Sequence, residues 1–221
     1  MKLKAKSEAT RAQILGAAME LFRRKGFDET TMRDIAAEAG VATGAAYYYF
    51  DSKDAIVLAF YDQARKETEP LLEEVLAGSK DLKARILALL EVKLRYFEPN
   101  RRLLSALTIH IDPARPLSPF GEQNREIRES DTAFFERALS GSRVRVPADL
   151  QPHLPRVLWL YQMGLILFWI HDRSPDQTRT RALLERSLDI VVRLIKLAGF
   201  PLMRPVRKMV VDLMEIVTEV P

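Results

Sequence analysis

The stretch TTMRDIAAEAGVATGAAYYYFDSK, residues 30–53, decides how this chain is read. Met32, Ile35, Ala36 and Ala39 recur at helical spacing, so one face of a first short helix is apolar. Gly40 follows the last of them, where a helix-ending glycine can take a positive φ. A second short helix is predicted over residues 43–49. Val41, Ala46 and Phe50 would form its buried side, and Thr43, Gly44, Tyr47 and Tyr48 its open side. Three successive tyrosines on so short a helix cannot all face inward. Two helices joined by a tight turn make a helix-turn-helix, whose second helix lies in the DNA major groove.

The flanks fit that plan. A preceding helix is expected over residues 7–25, with Ile14, Ala18, Leu21 and Phe22 as its inward stripe. Ser7 or Thr10 would cap it, and Gly26 would end it. Arg23, Arg24 and Lys25 fall in its last turn, where cations suit the helix dipole. Thr30 or Thr31 caps the next helix, and Asp34 follows Thr31 at the spacing of an acidic capping box. After the motif, Ser52 caps a helix that runs towards Pro70, kinks there and reaches Ala77, with Ile56, Phe60 and Ala64 inward.

These residues resemble the DNA-binding motif of the TetR family of bacterial repressors. The likeness rests on Phe22, Gly26, Phe27, Thr30, Thr31, Ile35, Ala36, Ala39, Gly40, Val41, Gly44, Tyr47, Phe50, Ser52 and Lys53, and covers roughly residues 9–57. Two positions depart from the family pattern. Ala42 stands where a serine cap is frequent, and Ala46 replaces a usual leucine. A weaker cap and a shallower pack under the second helix are expected.

Candidate DNA contacts follow from side-chain chemistry. Thr31 can cap its helix and also present the helix N-terminus to a phosphate. Arg33 can grip guanine with two hydrogen bonds. The resemblance implies that this position sometimes reads a base, and a solvated arginine is the alternative. Ala42, Thr43, Gly44 and Ala45 are small enough for close approach of backbone, base edge or thymine methyl. Tyr47 and Tyr48 carry hydroxyls that reach phosphates, and Lys53 can neutralise another. Lys2, Lys4 and Lys6 read as a solvated tail, or as a basic arm on DNA.

The chain has 221 residues, few glycines and a net charge of +4. No run of alternating β-branched residues occurs, so the class is all-α. The expected division is a DNA-binding domain over residues 1–53 and a larger helical domain over residues 54–221. The absence of cysteine excludes disulfides and thiolate metal sites and fits a reducing compartment. The N-terminus has no apolar core, so it is not read as a secretory signal, and a cytoplasmic location is expected. The longest apolar stretch, residues 157–170, is short of the about 20 residues a membrane span needs. His110, His153 and His171 are scattered, and no metal, cofactor or catalytic motif is expected.

Beyond residue 81 the surface is less informative. Helices are predicted over residues 82–98, with Leu82, Ile86, Leu89, Leu90 and Leu94 inward, and over residues 103–112. Another runs from residue 122 to 139. Two long ones cover residues 154–171 and about 178–197, and a last amphipathic helix follows Pro205. The helix over residues 154–171 is apolar nearly all round, which calls for burial on every side. A second copy of the chain would supply the missing cover, through Trp159, Leu167, Leu184, Leu188, Val191, Val192 and Ile195. Tyr96, Phe97, Leu107, His110, Phe134, Phe135, Tyr161 and Gln162 are candidates for a pocket, or for plain packed core.

The resemblance implies a homodimeric repressor that binds a palindromic operator on double-stranded DNA and is released by a small apolar or aromatic effector. Two alternatives remain at this point. One is an α-helical enzyme or carrier with an incidental helix-turn-helix. The other is a dimeric DNA-binding regulator that needs no ligand.

Overall fold

The structure is a computed structural model that describes residues 2–107 and 112–218. Among those residues it holds ten α-helices and no strand. They are α1 (Lys2–Arg24), α2 (Met32–Glu38), α3 (Thr43–Tyr49), α4 (Lys53–Ala77), α5 (Leu82–Phe97), α6 (Arg101–Leu107), α7 (Arg125–Ser140), α8 (Leu154–His171), α9 (Thr178–Ala198) and α10 (Arg204–Thr218). No described helix is long and apolar enough to cross a membrane. The expected end of the sixth helix, with Ile111, lies outside the described residues.

The helices gather into two compact units. The first comprises Met1–Arg65 and Phe97–Asn124, and the second Lys66–Tyr96 and Arg125–Pro221. The boundary expected after residue 53 therefore falls inside the first unit. That unit follows α4 to Arg65 and takes in the segment that carries α6. The second attachment has contacts behind it. Asn100 Oδ1 accepts from Arg23 Nη1 at 3.1 Å, and Arg102 Nη1 donates to the Arg24 carbonyl at 3.3 Å.

The first unit packs Ile14, Ala18 and Phe22 of α1 with Ile35, Ala36, Ala46, Phe50, Ile56 and Val57, all buried. Phe27 returns from the Gly26 turn to set its ring 5.2 Å from that of Phe22. Gly26 has φ +101°, so the turn requires glycine. The helix before it starts earlier than expected. Neither Ser7 nor Thr10 caps α1, because both lie inside it and Thr10 Oγ1 bonds back to the Lys6 carbonyl at 3.0 Å. The preceding residues are mostly Lys, Ala and Glu, good helix formers with no proline or glycine to stop them.

The second unit is organised around α5, α7 and α8. Leu82, Ile86, Leu89 and Leu90 of α5, Phe135 and Ala138 of α7, and Leu158, Trp159 and Trp169 of α8 are all buried in its core. A buried guanidinium fastens it. Arg85 Nε donates to Ala138 O at 3.0 Å, Nη2 to Arg137 O at 2.7 Å, and Nη1 to Leu76 O and Ser79 O at 2.6 and 2.7 Å. Those carbonyls belong to the last turns of α7 and α4 and to the loop after α4, where helices leave acceptors unpaired. Gly141 leaves room for it, since a Cβ there would lie 2.4 Å from Arg85 Nη2. The turn between α8 and α9 is tied by Asp172, which accepts from Ser174 N, Thr180 N and Thr180 Oγ1 at 2.7–2.9 Å. Those bonds hold its carboxyl far below the usual carboxylate range.

Replacing Arg85 with leucine keeps bulk but strands three carbonyls, Leu76 O, Ser79 O and Ala138 O, while Arg137 O keeps its bond from Gly141 N. Each buried acceptor left unpaired costs about 1–3 kcal/mol, so Arg85→Leu should lower the urea midpoint by a destabilisation of at least about 3 kcal/mol. Gly141→Ala should act in the same direction through steric contact. A wild-type midpoint in either variant would remove Arg85 from this role.

Candidate functional site

The helix-turn-helix is fixed at every junction but one. Thr31 Oγ1 accepts from Asp34 N at 3.1 Å and Asp34 Oδ2 accepts from Thr31 N at 2.9 Å, a complete capping box. Thr30 does a different job, its buried hydroxyl donating to Gly26 O at 2.6 Å. Asp34 also accepts from Lys25 Nζ at 2.8 Å. The Lys25 bond first, then the two from Thr31, lower its carboxyl to about 2. At the far end of α2, Gly40 N reaches Ala37 O and Val41 N reaches Ala36 O, with Gly40 at φ +64°. That pair of bonds is a Schellman motif. Gln13 Nε2 on α1 then donates to Ala39 O at 2.8 Å. Sequence reading missed Gln13, which carries no motif signal.

The loose junction is the start of α3. Ala42 makes no side-chain cap, as the departure from the family pattern suggested. Ala46 is buried, while Val41 is only half-buried. The other face is open. Thr43 and Gly44 are exposed, Ala45 is half-buried, and Tyr47 and Tyr48 are 52% and 82% exposed. Tyr49 is half-buried and meets Tyr48 edge to face at 5.2 Å. A Cβ at Gly44 would touch nothing within 4 Å, so the fold itself does not ask for glycine there.

The charged candidates separate. Arg33 is exposed, with no protein partner among the described residues. Lys53 is engaged within the chain, donating to Phe27 O at 2.7 Å and Asp28 O at 3.4 Å, with its ammonium 4.5 Å from the centre of the Phe27 ring. Arg23, Arg24 and Lys25 pair with Glu20, Glu38 and Asp34. Lys2, Lys4 and Lys6 lie in the first turns of α1.

The pocket candidates do not converge as one group. Phe134, Phe135 and Gln162 line a cleft in the second unit together with Leu72, Leu89, Lys93 and Asp131. Its space measures about 180 Å³ out to the mouth, and the closed part holds about one water molecule. Tyr161 points elsewhere, its hydroxyl 2.7 Å from Ser187 Oγ, and Tyr96 donates to Glu67 at 2.6 Å. Phe97 and Leu107 belong to the other unit, where Phe97 stacks edge to face on Phe60. His110 lies outside the described residues.

The expected dimer stripe needs correction. Trp159, Leu184, Leu188, Val192 and Ile195 are buried within the single chain, Leu188 to 0% exposure. They belong to the chain's own core and have no surface left for a partner. Of that set Leu167 is exposed and Val191 half-buried. The open apolar face of α9 is a second stripe, Leu183, Ile190, Leu194 and Leu197. Leu167 and Phe168 on α8 are also open, as are Val206, Met209 and Leu213 on α10.

A capped two-helix motif with an open, small-residue second helix defines a helix-turn-helix DNA-binding protein. Residues 14–60 match the family described as "Bacterial regulatory proteins, tetR family", and residues 85–215 match "Tetracyclin repressor-like, C-terminal domain". The chain belongs to the TetR family and is a DNA-binding transcriptional regulator. It is 27% identical to the transcriptional regulator TtgR of Pseudomonas putida over 208 residues, 89% of this chain and 96% of that one. It is also 27% identical to the transcriptional repressor KstR2 of Rhodococcus jostii over 147 residues, 64% of this chain and 71% of that one. A TetR-family regulator from Pectobacterium atrosepticum shares the fold, with a TM-score of 0.64 and 22% identity over 86% of this chain and 96% of that one.

Two outcomes are expected. Because folding lowers the Asp34 carboxyl to about 2, its bonds stabilise the motif above the unfolded value near 4 and are lost as pH falls from there through 2. An NMR titration should place its midpoint near 2, and a midpoint near 4 would deny the bonds. Gly44→Ala should keep or raise the melting temperature, since alanine favours helix by about 1 kcal/mol. It should nevertheless weaken duplex binding at least tenfold, and unchanged DNA affinity would mean that α3 does not approach DNA at Gly44.

Proposed function

We propose that this protein is a repressor that binds a two-fold symmetric operator as a homodimer and releases it when a small molecule occupies the second unit. The observation that carries this is the α3 face, where Thr43, Gly44, Tyr47 and Tyr48 stand open on a rigid helix-turn-helix. Arg33 adds a guanidinium with no other partner among the described residues. On duplex DNA, Thr43 and Ala45 would meet base edges or thymine methyls, and Tyr47 and Tyr48 phosphates. Repression is the mode named for KstR2. The family matches run through both units, which favours a regulator over an enzyme with an incidental motif.

Dimerisation is supported by the second stripe on α9. Ile190 and Leu194 are 60% and 59% exposed, large apolar groups on one face of a long helix. Gly164 on α8 adds a place where another backbone could come close, because a Cβ there meets nothing within 4 Å. Two helices from each chain can build a four-helix interface about a two-fold axis. An operator with half-sites one helical turn apart would require the recognition helices of such a dimer to stand about 34–36 Å apart.

The effector reading rests on the cleft of the second unit. Its narrowness favours a second reading, a dimeric regulator that responds to no ligand. The two differ in coupling. An effector lowers operator affinity by about 5- to 150-fold, and operator DNA lowers effector affinity by the same factor.

The dimer is tested by Ile190→Glu together with Leu194→Glu. Both sites are exposed in the single chain, so the charges leave its fold intact. Wild type should sediment at twice 25.3 kDa and the double variant at 25.3 kDa. A monomeric wild type, or a variant that stays dimeric, places the interface elsewhere.

A further inference from the structure

The cleft of the second unit holds a buried polar cluster on three helices. Lys93 Nζ on α5 donates to Asp131 Oδ1 on α7 at 2.7 Å. Gln162 Nε2 on α8 donates to Asp131 Oδ2 at 3.0 Å. All three residues are buried, and each lines the cleft beside Leu72, Leu89, Phe134 and Phe135. A buried ion pair gives little net stability, because desolvation offsets the attraction, and apolar groups of similar size would hold the helices as well. Its position in the wall of a cleft suggests another use.

We infer that Lys93, Asp131 and Gln162 form the polar end of a ligand site that selects a small neutral ring compound carrying a hydroxyl group. This rests on the effector reading above and names the chemistry it requires. Lys93 has three N–H donors and uses one on Asp131, so further donors remain for an oxygen. Gln162 gives its amide N–H to Asp131 and keeps a carbonyl acceptor. A hydroxyl both accepts and donates, so it satisfies donor and acceptor together. Charge excludes the alternatives. The pair neutralises itself, so a carboxylate or an ammonium would arrive in a buried site without an unused counter-ion. A pure hydrocarbon would leave the polar groups facing apolar surface. Phe134, Phe135, Leu72 and Leu89 supply walls for a ring, and admitting one requires these side chains to move apart.

The test uses the whole 221-residue chain and four probes that share one ring: phenol, toluene, benzoate and benzylamine. Binding is read by calorimetry and melting temperature, and operator affinity is read separately. Wild type should bind phenol at least tenfold more tightly than each of the others. Lys93→Met with Asp131→Leu, which leaves no unpaired charge, should lose that preference and bind toluene as well as phenol. Equal binding of toluene and phenol by wild type, tighter binding of benzoate or benzylamine, or no binding of any probe overturns the site. A phenol preference that persists in the double variant also overturns it. If the double variant fails to fold, the wild-type ranking decides alone. Selective phenol binding with unchanged operator affinity leaves the site standing and removes the effector reading instead.

Discussion

The angle between α2 and α3 depends on how α2 ends. At Gly40 the backbone turns through φ +64°, and two backbone bonds close the Schellman motif there. Gln13 then holds the carbonyl of Ala39, just past α2, against α1. At the opposite end, the Thr31–Asp34 box fixes where α2 begins, and Lys25 secures Asp34. These bonds fix α2 against α1, and the turn at Gly40 sets the direction in which the chain enters α3. A recognition helix has to be aimed before it can read, because a base contact is lost when its donor is displaced by about an ångström. Affinity then comes from side chains that have little else to do.

That separation of duties runs through the first unit. Lys53, Arg23, Arg24 and Lys25 spend their charges inside the chain, on carbonyls or carboxylates. Arg33 does not. Glycines divide in the same way. Gly26, Gly40 and Gly141 are imposed by the fold, through positive φ or through the space Arg85 needs, whereas Gly44 and Gly164 sit in helices with open space before them. A helical glycine costs about 1 kcal/mol relative to alanine. Where the chain's own packing does not require it, an approaching partner is the natural reason.

The motif was legible in the sequence because local chemistry fixes it. Positive-φ glycines, a Thr-x-x-Asp cap and apolar spacing all act within a few residues. The family resemblance pointed to the same residues. The second unit was harder to read, because α8 and α9 carry apolar groups on two faces. On α9, Leu184, Leu188 and Val192 look no different in sequence from Ile190 and Leu194, yet the first set fills the core and the second is open. Only packing decides between them. The polar cluster did leave a trace. Lys93 continues the spacing of Ile86, Leu89 and Leu90, Asp131 that of Phe134, Phe135 and Ala138, and Gln162 that of Leu158, Trp159 and Leu165. A charged or amide residue within an apolar stripe on three helices signals a buried network. Arg85 leaves the same trace among Leu82, Ile86 and Leu89, but its partners, backbone carbonyls at the ends of α4 and α7, leave none.

The central claim is that α3 reads base sequence from two copies of the chain at once. Selection of bound fragments from a pool of random duplexes, repeated over a range of salt concentrations, addresses it most directly. The expected product is a palindrome whose half-sites lie about one helical turn apart, with affinity that falls steeply as salt rises. Enrichment of no sequence, or of a single half-site without symmetry, would contradict it.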